Sequence, residues 1–322
     1  MLSRVLDQAM DLAVVPGFTR IGYAVRSRRW DPPWQGRPLE GKAVIITGPT
    51  AGLGKATAAG LALAGAELHL AVRDVAKGEA LVTELSELTE PRNLRLWECD
   101  VSDLDSVRSF ATAFEAAGID LSVLIHNAGV LLPERRSSAQ GHELTFATNA
   151  LGPFLMTELL LPALERGAPS RVIFVSSGGM YAEGLDLDDI ELERKEFDGD
   201  RFYAHTKRIE VVLAELFSER YARRGITAYS THPGWAATAG VANALPTFNR
   251  VLGPVLRTPE QGADTAVWMS WAPEVAEHPG AFWHDRRPRP KHRLPGTRES
   301  AAERERLWEL MQNAAGQSAD AD

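Results

Sequence analysis

From Lys42 to Ser230 the chain alternates short apolar runs with longer amphipathic stretches. No other feature constrains its fold as strongly. The first run, Lys42-Ala-Val-Ile-Ile-Thr47, holds four consecutive apolar residues, the mark of a strand buried on both faces, as in a parallel sheet. Further strands are predicted at about 67–72, 94–99, 121–126, 171–175 and 226–230. Helices are predicted between them at about 53–64, 76–88, 104–117 and 141–164, the last kinked at Pro153, and in a fifth stretch ending near Arg224. Gly65 and Gly225 stand where helices would stop. Such strict β-α alternation predicts an α/β fold: a doubly wound parallel sheet with helices on both faces, in a single domain. After Pro233 the pattern becomes irregular, with one more helix expected at about 259–271.

The chain of 322 residues is 44% hydrophobic and 24% charged, enough for a sizeable core without staples. A net charge of −8 argues against a nucleic-acid binder, which would show a broad basic face. Cys99 is the single cysteine, so no intrachain disulfide forms, which fits a reducing, cytoplasmic compartment. No apolar run reaches the ~18 residues that span a bilayer. We divide the chain into an N-terminal amphipathic extension and linker (1–39), the α/β domain (40–285), and a basic loop with a C-terminal surface helix and tail (286–322). In the extension, Leu2, Val5, Leu6, Met10, Leu12, Val14 and Val15 are interrupted by Asp7, Gln8 and Asp11. Packing on the domain is its expected role. A membrane-surface or dimer contact is the alternative, with Arg26, Arg28 and Arg29 favouring an anionic surface and a membrane-associated protein. The run from Arg286 to Arg293 reads as a solvated loop.

Thr47-Gly-Pro-Thr-Ala-Gly-Leu-Gly54 joins the first strand to the first helix. Gly48, Gly52 and Gly54 let the backbone turn tightly and approach a pyrophosphate, while the helix N-terminus offers free N–H groups to the anion. In this position the motif predicts dinucleotide binding on a Rossmann-type sheet, with Thr50 and Leu53 as neighbouring contacts. The second strand ends in Val72-Arg73-Asp74. An arginine there accommodates the 2′-phosphate of NADP and an acid holds the 2′-hydroxyl of NAD, so NADP(H) is preferred and NAD(H) stays open. Asp100 and Val101 end the third strand, and Asn127, Ala128 and Gly129 the fourth, at the edge where such sheets bind ligands. Asp100 is a candidate acceptor for the adenine amino group, and Asn127 more a lock between strands. No metal-ligand set is present in the sequence.

Tyr203 and Lys207 lie four residues apart, on one face of the fifth helix. A phenol beside an ammonium is a proton donor tuned toward neutral pH, suited to general acid–base work. With the glycine turn, Asn127-Ala-Gly129, Asn149, Ser177 and Pro233-Gly234, the pair resembles the short-chain dehydrogenase/reductase family over about 41–285. The resemblance implies a catalytic tetrad of Asn149, Ser177 (or its neighbour Ser176), Tyr203 and Lys207. It further implies cofactor contacts at Tyr203, Lys207, Pro233, Gly234 and Thr238, and a water held by Asn149 that links Lys207 to solvent. The implied substrate is a small apolar carbonyl or alcohol of steroid, retinoid or lipid type; the alternative is a non-catalytic nucleotide-binding regulator on the same fold. Homo-oligomers through the fourth and fifth helices are also implied, unless the N-terminal extension covers that face. Ser177 and Tyr203 are 26 residues apart, about twice the usual family spacing, as in the retinol-dehydrogenase-like branch. The extra segment from Glu183 to Arg201 is expected to form a lip over the substrate. Ser176-Ser-Gly-Gly-Met180, Phe197-Asp-Gly199, His232-Pro-Gly-Trp-Ala236, Gln261-Gly-Ala-Asp-Thr265 and Phe282-Trp-His-Asp-Arg286 narrow the resemblance to the member-12 group of that family. His205 is expected to point away from the site and His232 to border it. Trp235, Trp268, Trp271 and Trp283 are candidates for an apolar wall or for core.

Overall fold

The computed structural model describes residues 2–30, 36–237, 250 and 252–316. Three short helices come first: α1 (Leu2–Leu12), α2 (Val15–Phe18) and α3 (Arg20–Ser27). The alternating region then runs β1 (Ala43–Thr47), α4 (Gly52–Leu63), β2 (Glu67–Val72), α5 (Val75–Leu85), β3 (Leu94–Glu98), α6 (Leu104–Ala116) and β4 (Leu121–His126). A helical stretch follows: α7 (Leu144–Phe146), a π turn (Ala147–Leu151), α8 (Gly152–Leu159) and α9 (Leu161–Arg166). Then come β5 (Ser170–Val175), α10 (Gly199–Tyr221), β6 (Ile226–Thr231), α11 (Pro259–Met269), β7 (Phe282–His284), β8 (Arg287–Arg289) and α12 (Ala301–Ala314).

The strands form one sheet in the order β3-β2-β1-β4-β5-β6-β7-β8, parallel except for β8. Strand alternation sends Ile45 to one face and Val44 and Ile46 to the other, so each face carries its own core. One face packs α6, α8, α9, α10 and α12; the opposite face packs α4, α5 and α11. This is the doubly wound α/β fold that the alternation predicts. The strand order reverses beside β1, between β1 and β4, which is where such sheets open a crevice at their carboxyl edge.

Four local expectations change. The helix expected at 141–164 begins at Leu144, takes a π turn over Asn149, and breaks again at Leu160. Pro153 follows directly on the π turn, inside one continuous helical run, where its missing N–H cannot bond back, so the expected kink takes the form of that π turn; Pro162 sits in the first turn of α9, where a missing N–H costs no hydrogen bond. The strands β7 and β8 went unrecognised because each is three residues long, too short for a period to register. The run from Arg286 to Arg293 is not a solvated loop. Arg286 pairs twice with Asp264 at 2.8 Å, and the partly buried Arg289 and Arg293 pair with acids of α1. Finally, the described part of the N-terminal extension meets the fifth helix through the cluster of Phe18 with Val211 and leaves its outer face to another element. That face is covered by α12, whose Trp308 ring lies 5.0 Å from Phe154 of α8 and 5.1 Å from Phe217 of α10.

The extension also packs against the loops that follow β5 and β6. Its fully buried Phe18 stacks edge-on to His232 at 4.4 Å, and Trp235 N–H donates to the Phe18 carbonyl at 2.8 Å. Arg26 of α3 binds Asp7 of α1 and Asp285 of the β7–β8 turn, both at 2.6 Å. Asp285 also receives both arms of Arg257, at 2.6 and 2.8 Å. Asp285 and Arg286 are the two central residues of that hairpin turn and hold positive φ (52° and 55°), costly for non-glycine residues. The buried ion pairs of Asp285 offset that strain.

Candidate active site

Thr47, the last residue of β1, builds the phosphate turn from beneath. Its hydroxyl accepts the N–H groups of Asn127 and Ala128, each at 3.1 Å. The Asn127 amide donates to the carbonyls of Thr47 (3.0 Å) and Gly48 (3.1 Å). Asn127 therefore locks β4 to the turn, the structural role favoured for it. Gly48 and Gly52 take positive φ of 63° and 52°. Gly54 is required for another reason: a Cβ there would lie 2.1 Å from the Gly48 carbonyl oxygen. Ala51 caps α4 and has no side chain to occupy its first-turn N–H groups, which leaves them for an anion. The donor set fits a dinucleotide pyrophosphate.

Gly48, Thr50, Gly52, Leu53, Gly54, Arg73, Asp100, Val101, Asn127, Ala128, Gly129, Ser177, Tyr203, Lys207, Pro233 and Gly234 border one cavity of about 1750 Å³. Ligand pockets usually measure ~300–1,000 Å³, so this one is roomy enough for a dinucleotide and a second molecule together. Thr238 lies outside the described residues. Asp74 turns to cap α5, accepting from the Lys77 N–H at 3.1 Å and pairing with its ammonium at 3.1 Å. Arg73 stays exposed, 3.9 Å from Asp100.

At the other end, α10 carries Tyr203 and Lys207. The Lys207 Nζ lies 5.5 Å from the Tyr203 ring centre and donates to the Val175 carbonyl at 3.0 Å. Lys207 also donates to Glu210, one turn on, at 2.6 Å. Burial would lower the Lys207 ammonium; the charge of Glu210, and then that of Tyr203, outweigh burial and hold it above its ordinary value. Burial pushes the Glu210 carboxyl up to about 7 despite Lys207. The sequence reading missed Glu210, although the three-residue spacing from Lys207 was a readable sign that the two share a helix face. Ser177 caps a short turn, accepting from Gly179 N–H at 3.2 Å, and borders the cavity, as does Ser176. Ser176 instead donates to the Lys207 carbonyl at 2.7 Å, which ties β5 to α10.

Asn149 lies in the π turn, fully buried. Its side chain accepts from Val130 N–H (2.9 Å) and donates to the Val130 carbonyl (3.1 Å) and the Thr206 hydroxyl (3.0 Å). The Asn149 amide thus ties the π turn to the chain after β4 and to α10, one residue before Lys207. A Cβ at Gly129 would lie 3.3 Å from both Asn149 Oδ1 and Lys207 Nζ, so the three groups are neighbours. The extra segment supplies Glu183, Asp186, Leu192 and Phe197 to the cavity rim, as the lip expected of it. His205 does not point away: it borders the cavity and bonds the Gly184 carbonyl of that segment at 3.1 Å. His232 does not border the cavity. It stacks on His284 with ring centres 4.0 Å apart and accepts the Gly234 N–H at 3.0 Å. Of the four tryptophans, Trp235 alone lines the cavity; Trp268 and Trp283 belong to the core.

The profile of the short chain dehydrogenase family matches residues 42–186. The chain is 39% identical over 300 residues to dehydrogenase/reductase SDR family member 12 of Bos taurus, covering 92% of this chain and 94% of that one. It is 34% identical over 249 residues to human retinol dehydrogenase 12, covering 77% and 78% of the two chains. A crystal structure of an uncharacterised protein from Mycobacterium paratuberculosis superposes with a TM-score of 0.69 at 26% identity, over 86% of this chain and 94% of that one. With a glycine-built phosphate turn and a Tyr-Lys pair, its lysine buried, sharing one cavity, and relatives of this identity along nearly its whole length, the chain belongs to the short-chain dehydrogenase/reductase family of oxidoreductases.

Proposed function

We propose that the protein transfers hydride between NADP(H), in preference to NAD(H), and the carbonyl or alcohol of an apolar substrate of steroid, retinoid or lipid type. One observation carries this reading: the hydroxyl-bearing residues Ser177 and Tyr203 border the same cavity as the phosphate turn, beside a wall of Leu131, Leu132, Leu192, Phe197 and Trp235. A bound nicotinamide supplies or takes the hydride. Tyr203 gives its proton to the carbonyl oxygen in reduction and takes the alcohol proton in oxidation. Ser177 orients that oxygen and stabilises its developing charge. Lys207 sets a cation beside the phenol and would hold the nicotinamide ribose, and Asn149 fixes the π turn behind them. The preference for NADP is supported by the side chains after β2. Asp74 is engaged as a helix cap, while the Arg73 guanidinium is exposed at the cavity with only a long 3.9 Å pairing to Asp100, placed to meet a 2′-phosphate.

The experiment is a panel of steroid, retinoid and fatty aldehydes and alcohols assayed with NADPH, NADH and their oxidised forms. Turnover with NADPH that Tyr203→Phe lowers at least a hundredfold is expected. Parental rates in Tyr203→Phe would end the acid–base reading. Faster turnover with NADH would end the NADP preference, and nucleotide binding without turnover on any substrate would favour a regulator. We also propose that the extension rests on an anionic membrane surface. Leu12, Val15 and Ile21 are exposed on it, near the cations Arg20, Arg28 and Arg29. Flotation with phosphatidylserine vesicles that is unchanged by Leu12→Asp/Ile21→Asp would refute that contact.

A further inference from the structure

A buried carboxylate stands against the ammonium that the site uses. Lys207 and Glu210 make a 2.6 Å pair with side chains 3% and 2% exposed. The second oxygen of Glu210 is buried and has no hydrogen-bond partner among the described residues. This matters for Tyr203. A lone ammonium presents a full positive charge to the phenol, whereas an ammonium paired with an ionised carboxylate presents only a dipole, whose field falls off faster. The Lys207 Nζ is held on two sides, by Val175 and by Glu210, with the Tyr203 ring on a third.

Resting on the reading of Tyr203 as the acid–base group, we propose that Glu210 is a positioning residue that sets the charge Tyr203 meets: ionised it offsets Lys207, and protonated it leaves the ammonium unopposed. The groups around it are few. On α10 the charges are Lys207 and Tyr203, while Arg208 is committed to the C-terminal segment through Glu299 at 2.6 Å. From β5 and the residue after it come only the Val175 carbonyl and the Ser176 hydroxyl. His232, just past β6, is kept neutral, first by burial and then by the groups around it. From the π turn comes the neutral Asn149. With Glu210 raised to about 7, its charge changes within the pH range where such an enzyme works.

The test needs neither cofactor nor turnover, so it stands apart from whether any substrate is reduced. Phenolate absorbance of the full chain is followed against pH, and the Tyr203→Phe curve is subtracted. The other four of the five tyrosines, Tyr23, Tyr181, Tyr221 and Tyr229, are all pushed up by burial, which clears the window. Glu210→Gln keeps the shape and an acceptor for Nζ but removes the charge. Its phenolate signal is expected on the order of one pH unit lower than in the parent. Glu210→Asp, which restores the charge, is expected to return the curve toward the parental position. A Glu210→Gln curve that superposes on the parent or moves to higher pH overturns the proposal, as does a difference signal that Tyr203→Phe fails to create. Should circular dichroism show Glu210→Gln unfolded, Glu210→Ser, smaller and with room for water beside Nζ, carries the same two readings.

Discussion

The nucleotide end of the cavity and the region beyond β6 are held by opposite means. The turn after β1 is braced by a threonine hydroxyl, an asparagine amide and three glycines, with no buried charge. Beyond β6, Arg257 and Asp285 are each 1% exposed in their side chains and pair with each other, and Asp285 also binds Arg26 from the extension. Arg289 reaches Asp7, 282 residues away in sequence. The first region gains its shape from backbone geometry, the second from long-range charges whose desolvation is met only while every partner is present. Removing one member should therefore do different damage in each: lost binding at the turn, lost stability in the charge network.

Asp285→Ala tests the second region most severely. It leaves Arg26 and Arg257 buried without their shared carboxylate, which typically costs about 3–5 kcal/mol. Urea unfolding should show that loss while nucleotide affinity in the remaining folded protein stays near parental. A loss under ~1 kcal/mol would mean that water reaches the guanidinium groups and that the network is not dry. The same carboxyl predicts an acid dependence. Burial alone would raise it, but His284 when protonated, Arg257 and Arg26 hold it well below the usual carboxylate range. Its stabilisation is thus complete above the unfolded value of about 3.9 and is lost as pH falls below that toward the folded value. The stability gap between the parent and Asp285→Asn should be flat above about pH 4 and shrink below it.

Gly54→Ala is the matching change at the turn. The added Cβ meets the Gly48 carbonyl and, 2.4 Å away, the Asn127 amide, so the turn must open. Overpacking of this kind costs about 1–3 kcal/mol. The larger consequence is functional, because the displaced groups are the ones that shape the anion cradle. Dinucleotide binding by fluorescence titration should weaken at least about a hundredfold. Parental affinity in a folded Gly54→Ala protein would show that the dinucleotide does not sit against this turn.

The contrast also explains what was legible in the sequence. The glycines, Asn127 and the Tyr203-Lys207 pair reveal themselves through neighbours a few residues away or one helical turn apart, so spacing suffices. The apolar runs of β1 to β6 do the same for the fold. Asp7, Asp11, Arg26 and Arg293 look like ordinary surface charges, since nothing local says that α1 will lie against β8. The short β7 and β8 carry no period, and α12 gave away its amphipathic face only once Phe154 and Phe217 were in place to receive Trp308. Glu210 falls between the two cases: its helical register with Lys207 was visible, but a Lys-Glu pair three residues apart is usually a solvated surface pair, and only the packing of β5 makes it buried.

Asp74→Ala has the smallest expected effect and sharpens the comparison where its two halves blur, because an acid at the end of β2 belongs by position to the nucleotide end yet is spent on a helix. As the cap of α5, the Asp74 carboxylate accepts the Lys77 N–H, and deleting such a cap costs about 1 kcal/mol. Its exposed pairing with Lys77 adds little, since surface ion pairs contribute roughly 0–1 kcal/mol. If the side chain serves only α5, the variant should lose that small stability in urea and leave the ratio of NADPH to NADH affinity unchanged. If it instead binds the ribose hydroxyls, NADH affinity should fall about ten- to hundredfold while the helix keeps its stability, because a ligand bond to a charged acceptor is worth about 1.5–3 kcal/mol. Arg73→Ser in the same assay supplies the opposite arm, lowering NADPH affinity and sparing NADH. The pair of variants therefore separates a carboxylate that shapes the protein from a guanidinium that selects the nucleotide, two adjacent residues that sequence alone leaves in competition.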